Sequence, residues 1–569
     1  MSNDRSSPRR RHRWAVLAAP IGAVAIVILG AFLRFEGLGR DSLTGNEPMS
    51  LQYAQWPISH PKHWNNGMAL YHSVLHGWIR VAGESEAALR FPSALFGVAA
   101  IALMIALVRR INGWTTAVVA GLMLTLAWNH IYCSQLVRSY ALFIMLVVLS
   151  TLLLVRLLER PGAGRLVAYG VALVALSYSH YQWIFVLVFH NLAVLFSRRR
   201  VGWGWLALHA VVIVAYVPQV VLGILPKWGW SPVHMPKNPS VFLALGAVQH
   251  FLSLAPHQPI VAELSGGRDV NLVGFVILPA VAAAGVVAAG VPIVLRRWPG
   301  LRTVFPNLTR YVAPSSSSGA GGTLAWLPVA WFGAVFILPF AIARTGKPVF
   351  HYQYVVGAMP AYCWLIGLAV AALPHRWLRL AFGVLCPLLA VPALVTTKVL
   401  TMREDWRGCA HAIAAEERPG DHIVVSPGFA DRNFNLYYHG SLPTTSVAWG
   451  HADEEITKAL GWAEPPQRVW LVVGPHPSRS ATLIDYFKAR ADYRLTRRRE
   501  QEFYRIILLL FEHTPQSSSL AGSGDSIRTC LRSGPGGRCG AFPRPGPDRA
   551  RRFCAGDNVV TCEGAARSE

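Results

Sequence analysis

The chain reads as an α-helical polytopic membrane protein with about eleven transmembrane helices, its N-terminus inside, and a small C-terminal α/β domain on the exterior face. Three observations predict this. Hydrophobic residues make up 53% of the chain and charged residues only 14%, with a mean hydropathy of +0.36, where soluble proteins carry about 25% charge. Uncharged apolar runs of spanning length recur as far as Thr397. Beyond Arg403 the pattern changes to short β-branched runs alternating with helix-like segments. An ordinary cytosolic enzyme is thereby excluded. The net charge of +24 (53 Lys+Arg against 29 Asp+Glu) would suggest nucleic acid in a soluble protein. Here the hydropathy takes precedence, and no nucleic-acid partner is expected.

A span needs about 20 mostly apolar residues. Such runs occur at Ala15–Leu33, Phe91–Val108, Trp114–Cys133, Ser139–Val155, Val201–Pro226, Val270–Leu295, Thr323–Ala343, Pro348–Pro374 and Leu380–Thr397. Leu166–Ser197 is uncharged over 32 residues, about 48 Å as one helix at 1.5 Å per residue, which is too long. It is expected to form two spans that reverse at Ser177–Gln182. Charge supports this choice, because Lys and Arg accumulate in cytoplasmic loops. With two spans there, the basic N-terminus 1–13, Arg109-Arg110, Arg156 to Arg165, Arg198-Arg199-Arg200, Arg296 to Arg310 and Arg376 with Arg379 share one side. Much of the positive charge then marks the inner face and its contact with anionic membrane lipids. Ala15–Leu33 exceeds the apolar core of a signal peptide and no small-residue cleavage site follows, so it is expected to remain as the first span.

The transmembrane unit, residues 14–400, carries an exterior loop at 34–90. Within it, Met68–Ile79 is amphipathic and too short to span, which predicts a helix lying in the interface. A second exterior loop covers Lys227–Asp269. The module at 401–512 is expected to hold a helix over Asp405–Glu417, strands at His422–Ser426 and Arg468–Val473, a helix over Ala481–Ala489 and a last strand at Phe503–Phe511, arranged as a small parallel sheet. The tail 513–569 is rich in Gly, Ser, Pro and Arg and without hydrophobic periodicity, so disorder is expected. Its cysteines lack the close pairs of zinc sites. Pro314–Gly322 is a flexible linker, and the sequon at Asn307 falls on the inner side. The sequence contains no phosphate-binding P-loop, no G-x-G-x-x-G after a strand and no H-E-x-x-H.

Ionisable residues near a membrane default to functional hypotheses. They converge on the outer face: Glu36, Asp41, Asn46 and Glu47, then His130, Gln135 and Arg138, then His180, then Arg344, Lys347, His351 and Gln353. Carboxylates beside cations suit an anionic, phosphate-bearing ligand and a general base. The order Arg34-x3-Leu38, Ser42-Leu43-x2-Asn46-Glu47, Leu70-Tyr71, Leu75-His76-x-Trp78, Ser85-Glu86-x2-Leu89-Arg90-x-Pro92-Ser93, Ser134-Gln135-x2-Arg138-x-Tyr140-Ala141-Leu142 and Ser179-His180-Tyr181 resembles the polytopic glycosyltransferases of the GT-C superfamily. The resemblance is nearest to the dolichyl-phosphate-mannose-protein mannosyltransferase family (glycosyltransferase family 39) and its aminoarabinose transferase branch, of bacterial type. Gln353-Tyr354-x5-Pro360 and Glu404-Asp405-Trp406-Arg407 resemble its later motifs, so the likeness covers about residues 30–510.

The resemblance implies a hexosyltransferase that moves a sugar, mannose-like, from a polyprenyl-phosphate-linked donor to an exterior protein, glycan or lipid acceptor at the plasma membrane. It implies catalytic roles around Glu47, Asn46 and Asp41, with Glu47 as the general base. It places the donor phosphate on Arg138, Tyr140, His180, Lys347, His351 and Gln353. No metal ligand set is singled out and no cofactor is assigned, with a divalent cation, Mg²⁺ or Mn²⁺, left open by what some superfamily members use. The chain departs from the family in three places. The first acid of its acidic pair aligns with Asn46, its S-Q-E-A-R-M-Y pattern has lost the acid at Leu136, and the basic residue before the late tyrosine aligns with Gln353. Lys347, Arg344 and His351 remain as substitutes. A lone Glu47 in a loop would be a surface charge, a lone Arg138 a snorkelling arginine, and a lone His180 a hydrogen-bonded turn residue; the motif context favours function for the first two. The departures keep a second class open, a non-catalytic protein that binds or translocates a lipid-linked sugar. A general transporter is disfavoured, since no internal repeat or mid-membrane broken-helix pair is found.

Overall fold

The computed structural model describes residues 8–197, 202–227, 238–252, 272–297, 324–351, 353–399, 403–474, 480–503 and 506–514. Much of the second exterior loop, the linker 314–322 and almost all of the tail 513–569 lie outside these residues. Among the described residues six helices are long and apolar enough to cross a membrane, at Ala18–Phe35, Glu86–Leu126, Tyr140–Glu159, Trp203–Ile224, Val355–Ala372 and Arg376–Val395. Shorter apolar helices occupy Ala163–Ser177, Trp183–Phe196, Ile277–Val291 and Leu327–Ala343. The protein is a multi-pass, mostly helical membrane protein.

The first part of the chain comprises α1 (Pro8–Phe35), α2 (Glu47–Gln55), a 3₁₀ turn at Pro61–Gly67, α3 (Ala69–Ala82), α4 (Glu86–Leu126), α5 (Trp128–Ser134) and α6 (Tyr140–Glu159). α4 holds two expected spans joined at Gly113, whose φ of 81° only glycine adopts readily. α3 is the expected interfacial helix, with Tyr71, His72 and Leu75 buried. Helices Ala163–Ser177 and Trp183–Phe196 reverse through Tyr178–Gln182, where the polar cluster placed the turn. α4 is the central packing partner, meeting α1, α6 and the helix Met359–Ala372 in one apolar core. Arg34, fully buried near the end of α1, donates to the carbonyls of Leu124 and Thr125 at 3.1 and 3.2 Å. It thus satisfies carbonyls that the end of α4 leaves without helical partners.

The C-terminal module is a five-stranded sheet in the order β2-β1-β3-β5-β4, with β1 (Asp421–Ser426), β2 (Thr444–Ser446), β3 (Arg468–Val473), β4 (Tyr493–Phe503) and β5 (Ile506–His513). β1 runs parallel to β2 and β3, whereas β5 is antiparallel to both β3 and β4. The parallel-sheet expectation therefore needs correction on one side. β4 escaped notice because its Arg494, Arg497, Arg498 and Arg499 hide any apolar alternation. As the edge strand it buries little, and its charge discourages pairing with another chain. Along β3 the side chains alternate between two cores. Trp470 and Val472 join Trp406 and Phe434 on one face; Val469, Leu471 and Val473 join Ile456, Phe487 and Phe511 on the other. The helices Trp406–Ala414 and Ala481–Ala489 stand where expected, while Asp453–Leu460 is an additional one.

Candidate functional site

Two clusters of ionisable side chains form where α2, the start of α4, the α5–α6 junction and the module meet. The first centres on Glu47, the N-terminal residue of α2. Its carboxylate and the Arg90 guanidinium, each 1% exposed, form a two-pronged pair. Arg90 Nε donates to Oε1 and Nη2 to Oε2, both at 3.1 Å, the strong fork geometry of arginine with a carboxylate. The backbone N–H groups of Val137 and Thr44 add bonds at 2.9 and 3.0 Å. Burial acts to raise the Glu47 pKa, but Arg90, Arg403 and these hydrogen bonds outweigh it and hold the carboxyl below its usual range. Both oxygens are thus occupied, the geometry of a buried structural ion pair. Arg90 in turn donates to the carbonyls of Leu38, Asp41 and Ser42 at 2.7 to 2.9 Å, folding the loop before α2 around itself.

Asn46 precedes Glu47 and is exposed; its side chain makes no capping bond to α2. Asp41 retains 15% exposure and pairs with Arg40 at 3.3 Å and, more loosely, with Arg403 at 3.9 Å. It borders a cavity of 230 Å³ shared with Ser42, Arg403, Asp405, Arg407 and His411, a third of its lining from the loop and two thirds from the module. Arg90 and Arg403 were absent from the residues singled out in the sequence. Their only prior signal was that both stand in or beside quoted motifs.

The second cluster centres on Arg138. It donates to Ser50 Oγ at 3.2 Å, one turn along α2 from Glu47, and also engages the Tyr140 side chain, its guanidinium 5.9 Å from that ring. No carboxylate among the described residues pairs with it, although it is only 8% exposed. Beside it, His180 is fully buried. Its Nδ1 accepts from the Gln182 N–H at 3.3 Å, which leaves Nε2 as the protonated nitrogen, without a partner among the described residues. Burial first, and the Arg138 charge second, push the imidazole down to about 3, so it is neutral at physiological pH. Its ring lies 5.9 Å from Tyr140, 4.4 Å from Tyr181 and 5.5 Å from Tyr354. His351 joins the group through Tyr354, at 5.1 Å. Arg138, Tyr140, His180 and His351 are therefore brought together, with Tyr354 an addition. Gln353 contacts His351 through its backbone N–H at 3.3 Å, and Lys347 is exposed; no described side-chain contact ties either to the cluster.

A buried guanidinium without an acid and a buried N–H without an acceptor form a cradle for an anion. Residues 70–222, which include Arg90, Arg138, Tyr140 and His180, match the family model described as dolichyl-phosphate-mannose-protein mannosyltransferase. The chain is similar in structure to ArnT from Cupriavidus metallidurans in the apo state, at 15% identity over 88% of this chain and 98% of that one, TM-score 0.49. It is similar to the same protein bound to undecaprenyl phosphate, at 16% identity over 90% and 99%, TM-score 0.48. A third similarity is to the Archaeoglobus fulgidus oligosaccharyltransferase tethered with an acceptor peptide containing the NVT sequon, at 12% identity over 81% and 69%, TM-score 0.48. No curated protein sequence matches. The family match stops short of Glu47 and of the late motif.

Among the described residues no group of three or more His, Cys, Asp or Glu is placed to hold a metal ion. Glu47 is committed to Arg90 and offers no free carboxylate to a divalent cation.

Proposed function

We propose that the protein transfers a sugar, mannose-like, from a polyprenyl-phosphate-linked donor to an acceptor on the exterior face of the plasma membrane. The observation that carries this reading is the Arg138 cluster. Arg138, which has no carboxylate partner among the described residues, and the His180 Nε2–H suit the phosphate that leaves the sugar, and the surrounding tyrosines suit the sugar ring and the first isoprene units. Preorganised donors of this kind favour the charge that develops as the phosphate departs.

In this reading Glu47 is a positioning residue. It fixes Arg90 and, through the Val137 N–H, the backbone next to Arg138. Asp41, the more accessible of the two loop acids, is the group we assign to take the proton of an acceptor hydroxyl; Asn46 has no such capacity. Lys347, His351 and Gln353 form the outer rim of the donor site. The test is transfer of radiolabelled mannose from polyprenyl-phosphate mannose in membranes. Arg138→Ala is expected to weaken donor binding by roughly tenfold to a hundredfold, the loss of a charge-assisted bond, and Asp41→Asn to lower kcat with donor binding retained. Full transfer by both variants would overturn the assignments.

Asn46 at the open position, with Glu47 sequestered, favours one alternative, a protein that binds or translocates a lipid-linked sugar without turning it over. Such a protein would retain labelled donor and release no polyprenyl phosphate.

A further inference from the structure

We infer that the C-terminal module sets the geometry of the acidic loop, and that Arg403 is the positioning residue through which it does so. The inference rests on the reading of Asp41 as the acceptor-side acid. Residues 36–46 connect α1 to α2 without helix or strand, so their backbone groups must find partners elsewhere. The module supplies many of them. Ser42 Oγ donates to the Glu404 carbonyl at 2.7 Å and accepts from the Trp406 N–H at 3.1 Å. The Leu43 N–H donates to Tyr437 Oη at 2.6 Å. Asn433, with its amide oriented to satisfy both, accepts from the Gly45 N–H and donates to the Gly45 carbonyl, each at 3.1 Å. Arg407 Nη2 donates to the Arg40 carbonyl at 2.7 Å and its Nη1 pairs with Glu86 at 2.9 Å.

Arg403 stands at the centre of this seam. It is 7% exposed, and its Nη2 is anchored on the Gln135 carbonyl at 2.8 Å. Its Nε and Nη1 lie 3.9 Å from Asp41 and from Glu47. Two carboxylates, Asp41 and Glu47, thus meet the two buried guanidiniums of Arg90 and Arg403, with the more exposed Arg40 at the edge beside Asp41. With Arg403 removed, Glu47 would keep Arg90 and Asp41 only the exposed Arg40, and the repulsion between the two carboxylates would push the more exposed Asp41 outward. At 3.9 Å the influence is mainly charge, so a lysine should preserve part of it. The module, on this view, is a wall of the site and not an appendage.

The test compares full-length wild type with Arg403→Met, Arg403→Lys and Tyr437→Phe in nanodiscs. Hydrogen–deuterium exchange over residues 40–47 is measured with binding of undecaprenyl phosphate and mannosyl transfer. Arg403→Met should speed exchange over 40–47 by on the order of tenfold and leave β1 and β3 protected. It should lower kcat by up to about a hundredfold, the effect of a small misplacement, with lipid-phosphate affinity unchanged within about twofold. Arg403→Lys should recover much of kcat. Tyr437→Phe should speed exchange over the same residues without removing a charge. Unchanged exchange in Arg403→Met would overturn the inference, as would a parallel loss of lipid-phosphate affinity or an absence of any recovery with lysine. If wild type transfers no sugar, the proposed reaction fails, and the exchange and binding results still decide the positioning role.

Discussion

Glu47 shows how far a residue's role depends on partners distant in sequence. Its motif marks it, but Arg90, which claims both its oxygens, stands 43 residues away. Because its folded pKa lies below the ordinary value of 4.5, the stabilisation from its ionised form is present above pH 4.5 and is lost as pH falls through the lower folded value. Glu47→Gln leaves Arg90 buried with an uncompensated charge, which costs about 3–5 kcal/mol. The variant is expected to melt well below wild type at neutral pH and to lose less stability on acidification, as thermal unfolding across a pH series would show. Equal melting temperatures at neutral pH would remove Glu47 from its structural role. Arg138 and His180 were legible as candidates from motif and side. What could not be read was that His180 Nε2 has no partner among the described residues, because that follows from the packing of the Tyr178–Gln182 turn against α6.

At the scale of elements, periodicity served well where burial is one-sided or complete. Helix α3, the reversal after Ser177 and strands β1 and β3 fall where their patterns place them. It failed at β4, whose arginines face solvent at a sheet edge, and therefore at the sense of β5. Helix–helix contacts were equally hidden. A Cβ added at Gly285 in the helix Leu272–Arg297 would lie 2.0 Å from the Leu365 carbonyl oxygen. That helix therefore approaches Met359–Ala372 as closely as backbones permit, the usual function of small residues between membrane helices. Gly285→Ala is expected to destabilise the membrane unit by about 1–3 kcal/mol, read as a lower melting temperature in detergent. Retention of wild-type stability would show that the two helices can separate without cost.

At the scale of the whole molecule, the proposed sidedness puts loop 34–90 and the module together outside, and their shared hydrogen bonds require one common side. Phe429, 54% exposed on the module, offers a probe. In a background whose four tail cysteines are replaced, Phe429→Cys is expected to react with a membrane-impermeant maleimide on intact cells, whereas the buried Cys133, Cys363, Cys386 and Cys409 stay protected. Labelling only after permeabilisation would reverse the orientation.

The amino-acid order by itself determined that this is a polytopic helical protein, since hydrophobic length and charge asymmetry are local properties that the bilayer reads segment by segment. It also determined the catalogue of chemistry, because residue types and their motifs need no fold to be recognised. The tertiary structure alone decided which acid is spent and which remains accessible. Arg90 and Arg403 reach Glu47 and Asp41 from 43 and 362 positions along the chain, and no periodicity encodes a pairing made by one buried charge seeking another in a medium where an unpaired charge is costly.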